Sequence, residues 1–155
     1  WLSKEIKKNY GLEKEPPFVP LIVDLPEPTS SLRQELGISK DQLVIGRLGG
    51  YDTFDLTFVW EAVKIIAETR DDIVFLFANT MKVVQHPNII YIDPFFGNQE
   101  KSNFINACDA MIHGRNLGES FGGAICEFLF FNKLSYCGFN KLFQIFHLFY
   151  LYINI

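Results

Sequence analysis

Two glutamates, Glu119 and Glu127, stand eight positions apart in the segment GESFGGAICE at 118–127, with a Ser-Phe-Gly-Gly turn between them. A turn of this composition suits the start of a helix near Phe121. Glu127 would then lie inside the helix and Glu119 just ahead of it, with the free backbone N–H groups of the first turn in between. That combination is an anion site with a carboxylate at either end. At 1.5 Å per residue the two acids are expected roughly 12 Å apart along the axis, on broadly one face. The paired acids of retaining glycoside hydrolases stand about 5 to 5.5 Å apart and those of inverting ones about 6.5 to 9.5 Å, so the spacing disfavours a hydrolytic pair. It suits a long ligand with hydroxyls at both ends and phosphates in the middle, as in a sugar nucleotide.

The elements that must position these acids follow from the apolar pattern. LVIG at 43–46, IVFLFA at 73–78, NIIYI at 88–92 and AMIH at 110–113 read as buried strands. They alternate with amphipathic helices from Asp55 or Thr57 to Thr69, at about 98–107, and after Ser120. Such alternation predicts an α/β, Rossmann-like parallel sheet with helices on both faces. Ligands of these sheets bind outside the carboxyl ends of the strands, where Gly49-Gly50, Asn79, Asp93-Pro94 and the run 113–120 should gather. Ahead of the alternation, Ser3 to Tyr10 reads as a short helix stopped by Gly11, FVPLIV at 18–23 as strand-like, and Ser30 or Ser31 as the cap of a short helix ending at Gly37. Asp52 and Asp55 read as turn and helix-cap residues.

The stretch CDAMIHGRNLGESFGGAICEFLFFNK resembles the Glu-x7-Glu carboxylate signature of retaining GT-B glycosyltransferases, especially family 4 (glycosyl transferases group 1). LVIGRLGGYDTFD is similar to the first strand and glycine-rich loop of the donor-binding, C-terminal domain of that family, and PLIVDLP to the segment leading into it. Together they cover about residues 17–137. The resemblance implies a sugar transfer from a nucleotide-sugar donor with retention and without a metal or other cofactor. It gives Glu119 the hydroxyls of the transferred sugar and Glu127 the ribose. The backbone amides of Ser120, Phe121 and Gly122 would face the phosphates, at the positive end of the helix dipole. Arg47, beside Gly49 and Gly50, would supply fixed positive charge near the diphosphate, a task suited to the planar guanidinium fork. Catalytic roles thus fall to Glu119 and Arg47, and donor-binding roles to Glu127, Gly49, Gly50, Ser120, Phe121, Gly122, Arg115 and His113. For the last two the competing readings are a solvent-facing arginine and a satisfied strand-end histidine. The family pairs its arginine with a lysine a few residues on, whereas this loop reads GGYDTFD and has none. GT-B enzymes also bind the acceptor on a preceding Rossmann-like domain, so the isolated chain is expected to transfer little sugar. The alternative is a nonenzymatic Rossmann-like module that binds a nucleotide or a partner.

Other chemistries fit less well. No Asp-x-Asp motif marks a metal-dependent transferase, and no Gly-x-Ser-x-Gly elbow marks a hydrolase. Gly46-x-x-Gly49-Gly50 is neither a full dinucleotide fingerprint nor a P-loop. A net charge of −4, with the 14 Lys and Arg scattered, argues against nucleic acid as a partner. Three cysteines without a C-x-x-C pair indicate neither a zinc site nor a disulfide framework and fit a reducing, cytoplasmic setting.

The organisation expected is an N-terminal helix and linker at 1–16, the Rossmann-like nucleotide-sugar-binding domain at 17–140 and an atypical apolar tail at 141–155. No signal peptide is read at the start, and a chain beginning with Trp reads as an incomplete piece. The tail, LFQIFHLFYLYINI, is too short to be a transmembrane segment, which takes about 20 residues, and has no polar face. It reads as a frameshift or truncation product beginning near Asn140, with a buried final helix as the alternative. A genomic frame running through the tail without a shift would exclude the first of these.

Overall fold

The run Ile73–Ala78 carries no polar side chain and can face water on neither side. The structure, a computed structural model describing residues 2–17, 22–117 and 122–138, buries every residue of it as the second strand of a parallel sheet. The order along the chain is α1 (Leu2–Tyr10), α2 (Leu32–Glu35), β1 (Leu43–Leu48), α3 (Thr57–Thr69), β2 (Ile73–Ala78), β3 (Ile89–Ile92), α4 (Asn98–Ala107), β4 (Ala110–Gly114), α5 (Gly123–Phe130) and β5 (Leu134–Gly138). The five strands form one all-parallel sheet in the order β3-β2-β1-β4-β5.

Strand side chains alternate between the two faces, and each face is covered by helices. Ile45, Phe75, Phe77, Ile89 and Ile112 pack against Val59, Trp60, Val63 and Ala67 of α3. Val44, Val74, Leu76 and Met111 pack against Phe104, Ile105 and Ala107 of α4 and Phe128 of α5. Each such side chain taken from water contributes about 1.5–3 kcal/mol, so both helical layers are held mainly by apolar contact. The expected α/β, Rossmann-like arrangement is the one found.

Strand order fixes where a ligand crevice can form. From β1 the chain passes through α3 to β2 on one side, and from β3 it passes through α4 to β4 on the other side of β1. The loops leaving β1 and β4 therefore diverge to opposite faces, and their carboxyl ends bound a topological switch point. The opposite edge is closed by Arg33, which donates to Ala107 O, Gln42 O and Asp109, whose carboxylate accepts the Val44 N–H at 2.7 Å.

Several local expectations change. FVPLIV at 18–23 falls mostly outside the described residues, and Ile22 and Val23 belong to no strand. The apolar tail lies outside the described residues entirely. A fifth strand not read from the sequence, β5, extends the sheet beside β4. Gly46, read as the end of the first strand, lies inside β1, which runs on to Leu48. A Cβ at Gly46 would collide with Sγ of Cys108 and lie 3.2 Å from Phe128, so the strand needs glycine where α4 and α5 press closest. A glycine without such neighbours gains about 0.4–1 kcal/mol on replacement by alanine. Gly46→Ala is instead expected to lose about 1–3 kcal/mol through overpacking. A lowered urea midpoint with an unchanged slope would register the loss, and an unchanged or raised midpoint would contradict this packing argument.

Candidate functional site

At the end of β1 the chain presents Arg47, whose residue type suggests a ligand contact. The structure turns it inward instead: only 1% of the residue is exposed, and its guanidinium lies 5.4 Å over the ring of Phe54. One terminal nitrogen donates to Gly50 O at 2.9 Å and Thr53 Oγ1 at 2.8 Å. The other donates to Asn79 O at 3.2 Å and Thr80 Oγ1 at 3.0 Å. The arginine thus binds the loop after β1 to the loop after β2, and Asn79 returns the tie by donating its side-chain amide to Gly49 O at 2.8 Å. Asn79 adopts φ +47°, in the left-handed region that asparagine tolerates better than most residues.

This inward turn explains the glycines. A Cβ on Gly49 would stand 2.9 Å from the guanidinium, and one on Gly50 would stand 3.0 Å from Thr53. Peptide planarity adds a consequence for any ligand. The carbonyls of Gly49 and Gly50 point at Asn79 and Arg47, so the trans peptides direct the N–H groups of Gly50 and Tyr51 the opposite way, outward from the buried arginine. Arg47 therefore acts behind the loop. Its role as a side chain touching a diphosphate is corrected to that of a buried brace, because its four acceptors hold it in the protein.

Across the switch point, β4 ends in His113 and Gly114, with His113 buried and Arg115 half-buried. Asn116 N then donates to Asp55 Oδ1 at 2.8 Å. Asp55 is thus a strap between the two loops. The N-cap of α3 is Leu56, with no side-chain capping bond, so the cap reading of Asp55 is not the one realised. Glu119, Ser120 and Phe121 lie outside the described residues. Gly122 takes φ +76°, the left-handed conformation that lets the chain turn into α5, and its carbonyl accepts the Cys126 N–H at 3.0 Å. The helix starts at Gly123, two residues later than the sequence suggests.

Glu127 lies one turn into α5, where its Oε1 accepts a hydrogen bond from Lys101 Nζ at 2.7 Å. The pair is largely shielded, with 25% and 17% of the two side chains exposed. Lys101 belongs to the first turn of α4, which follows β3 and lies at the carboxyl edge of the sheet. The sequence offered no sign of this lysine, which comes from another element and is 26 positions from its partner.

The structure also gathers Asn79 and Asp93-Pro94, as the topology requires. With Tyr51, Thr80 and Lys82 they line a cleft of about 220 Å³ at the carboxyl ends of β2 and β3. Whole-ligand pockets run to about 300–1,000 Å³, so this cleft accommodates only part of a larger molecule. Of the thiols, Cys108 is enclosed and burial pushes it well above the usual thiol range, which makes it a packing residue rather than a nucleophile. Among the described residues no group of three or more His, Cys, Asp or Glu is arranged to hold a metal ion, and no helix is long and apolar enough to cross a membrane. The sequence matches no family model and no curated protein.

The brace makes a stability prediction. Arg47→Lys keeps the charge but replaces a planar fork with a single ammonium, which cannot serve acceptors on both loops at once. Stranded buried acceptors cost about 1–3 kcal/mol each, so the variant is expected to lose about 2–4 kcal/mol in denaturant unfolding. A loss below about 0.5 kcal/mol, within the range of ordinary surface substitutions, would show that the brace is dispensable.

Proposed function

We propose that the chain is the donor-binding domain of a retaining, metal-independent GT-B glycosyltransferase, which takes a sugar from a nucleotide-sugar and passes it to an acceptor held by a second domain. The observation that carries this reading is the loop after β1 at the switch point, where the Gly49 and Gly50 carbonyls are tied by Asn79 and Arg47 and the amides of Gly50 and Tyr51 face the other way. The neighbouring strand β4 leads on to α5, which carries the Glu127 carboxylate one turn in. Amides suit a diphosphate, and a carboxylate suits vicinal hydroxyls such as those of ribose.

In transfer, negative charge grows on the departing diphosphate, and donors already oriented before the reaction stabilise it without reorganising. The amides of Gly50 and Tyr51 would serve on one side of the crevice and the start of α5 on the other, with the buried charge of Arg47 behind the loop. Glu119 would hold the transferred sugar by its hydroxyls, and His113 and Arg115 would complete the wall below. Lys101 would hold the Glu127 carboxylate in place to accept. An acceptor must be held in register with the donor for transfer to be fast, and that task would fall to the second domain. A nonenzymatic nucleotide-binding module is favoured by one observation: the terminal nitrogens of Arg47 donate to four acceptors of the protein, so its guanidinium serves the loops before any ligand arrives.

Calorimetric titration with UDP, GDP, ADP and their sugar conjugates tests the donor site, because a ligand of the folded state stabilises it by mass action. One nucleotide series is expected to bind selectively, with the sugar conjugate bound more tightly than the bare diphosphate. Glu127→Gln should weaken that binding about tenfold or more, since hydrogen bonds to a charged acceptor contribute roughly 1.5–3 kcal/mol. Equal affinity in the variant, or no response from a well-folded wild type, would reject the donor-site reading. Sugar-independent binding would favour the nonenzymatic module.

A further inference from the structure

We infer that the cleft at the carboxyl ends of β2 and β3 is a nucleobase subsite whose side chains select guanine. The inference deepens the donor-site proposal and rests on it.

The place of the cleft follows from Tyr51. Its N–H is one of the outward amides offered to a diphosphate, its carbonyl accepts the Met81 N–H at 3.1 Å, and the residue itself lines the cleft. A nucleotide whose phosphates meet those amides therefore has the cleft beside it. Asp93 and Pro94 bound the same cleft, and from them the chain runs into α4 and so to Lys101 and its partner Glu127. The space, about 220 Å³, is a compartment for one part of a ligand. Tyr51 is exposed, and its ring, with Ile92 and Pro94, supplies apolar surface of the kind on which a base stacks.

The polar groups decide which base. Asn79 donates its side-chain nitrogen to Gly49 O, a carbonyl that can only accept, and this settles which end of the amide is which. The amide oxygen is left over, and among the described residues it has no hydrogen bond. Asp93 is exposed and adds a carboxylate, which when ionised accepts and does not donate. Thr80 is already engaged, because its hydroxyl donates to Ala78 O and accepts from Arg47. The cleft thus offers acceptors from Asn79 and Asp93 and a cation from Lys82. Guanine matches that set. Its ring N–H and the neighbouring amino group are donors side by side, which a carboxylate accepts in parallel, and its carbonyl oxygen suits an ammonium. Uracil instead sets its ring N–H between two carbonyls, which a carboxylate repels. Adenine sets its amino group beside a ring nitrogen that can only accept, so half of its edge faces acceptors unpaired.

Calorimetric titration of the wild type and Asp93→Asn with GDP, UDP, ADP, inosine diphosphate and xanthosine diphosphate tests the assignment. Hypoxanthine, the base of inosine, lacks the amino group of guanine, and xanthine carries a carbonyl in its place, which an asparagine amide can meet as donor. The wild type is expected to bind GDP most tightly, and inosine diphosphate about tenfold or more weakly, as for loss of a hydrogen bond to a charged acceptor. Asp93→Asn should lose GDP affinity by about the same factor and prefer xanthosine diphosphate to GDP, with an unchanged melting temperature because Asp93 is exposed. A wild type that binds UDP or ADP more tightly than GDP overturns the guanine assignment and leaves the donor site standing. GDP affinity indifferent to the amino group, or to Asp93→Asn, overturns the cleft as the base subsite. A variant that loses GDP without gaining xanthosine diphosphate overturns the direct contact of Asp93 with the base. No response to any of these nucleotides rejects the donor site and the inference with it.

Discussion

A guanidinium enclosed by protein keeps its charge at a cost of several kcal/mol unless its donors are met in good geometry, and the carboxyl edge of this sheet is organised around meeting that requirement. Arg47 leaves β1 pointing at the aromatic layer over α3, where Phe54 offers a ring face and where Trp60 and Phe77 close around Phe54. Its hydrogen bonds to Gly50, Thr53, Asn79 and Thr80 then dictate the course of two loops. The backbone follows the side chain. Gly49 and Gly50 are small because the arginine and Thr53 occupy the space beneath them, and Asn79 accepts a left-handed conformation to bring its amide to Gly49.

The same arrangement couples stability to function. Carbonyls held inward oblige the following amides to point outward, so the buried charge orients a row of donors that it does not itself extend. A surface arginine would be mobile and screened by salt, whereas a buried one holds the loop still. The Asp55 bond to Asn116 extends that order across the crevice, since Asp55 follows Phe54, the residue on which Arg47 rests. A cation–π contact and a hydrogen bond on adjacent residues thus connect Arg47 to the loop of β4.

Legibility in the sequence followed the range of the forces involved. The apolar runs of β2, β3 and β4 are local signals, and the parallel sheet with helices on both faces followed from their alternation with helical segments. β5 was missed because LSYCG is short and mixed and forms its ladder with β4 through long-range pairing alone. The need for glycine at 46 was not legible because a one-dimensional pattern does not show Cys108 and Phe128 converging on the strand. In the candidate site, a helix opening after a turn was readable from Ser-Phe-Gly-Gly, though not the left-handed conformation of Gly122. The inward direction of Arg47 was not, because residue type announces affinity for anions but not which side of the backbone the side chain takes. Lys101 and Asp55 escaped for the same reason: each acts on a partner that only the fold brings near.

Lys101 also bears on the lysine that the glycine-rich loop lacks. A cation placed in that loop would sit above Arg47, and two like charges across a thin layer of backbone would each raise the cost of the other. Here the second cation enters from α4 and meets a carboxylate instead, while Arg47 is held by neutral carbonyl and hydroxyl acceptors. A pair as shielded as Lys101 and Glu127 holds its carboxylate in one orientation, because leaving either charge without its partner costs more than the pair gains. The ammonium engages Oε1, and among the described residues the second carboxylate oxygen has no hydrogen bond. In the proposed donor site that oxygen would be the one to receive a hydroxyl, so binding would add to the ion pair rather than displace it.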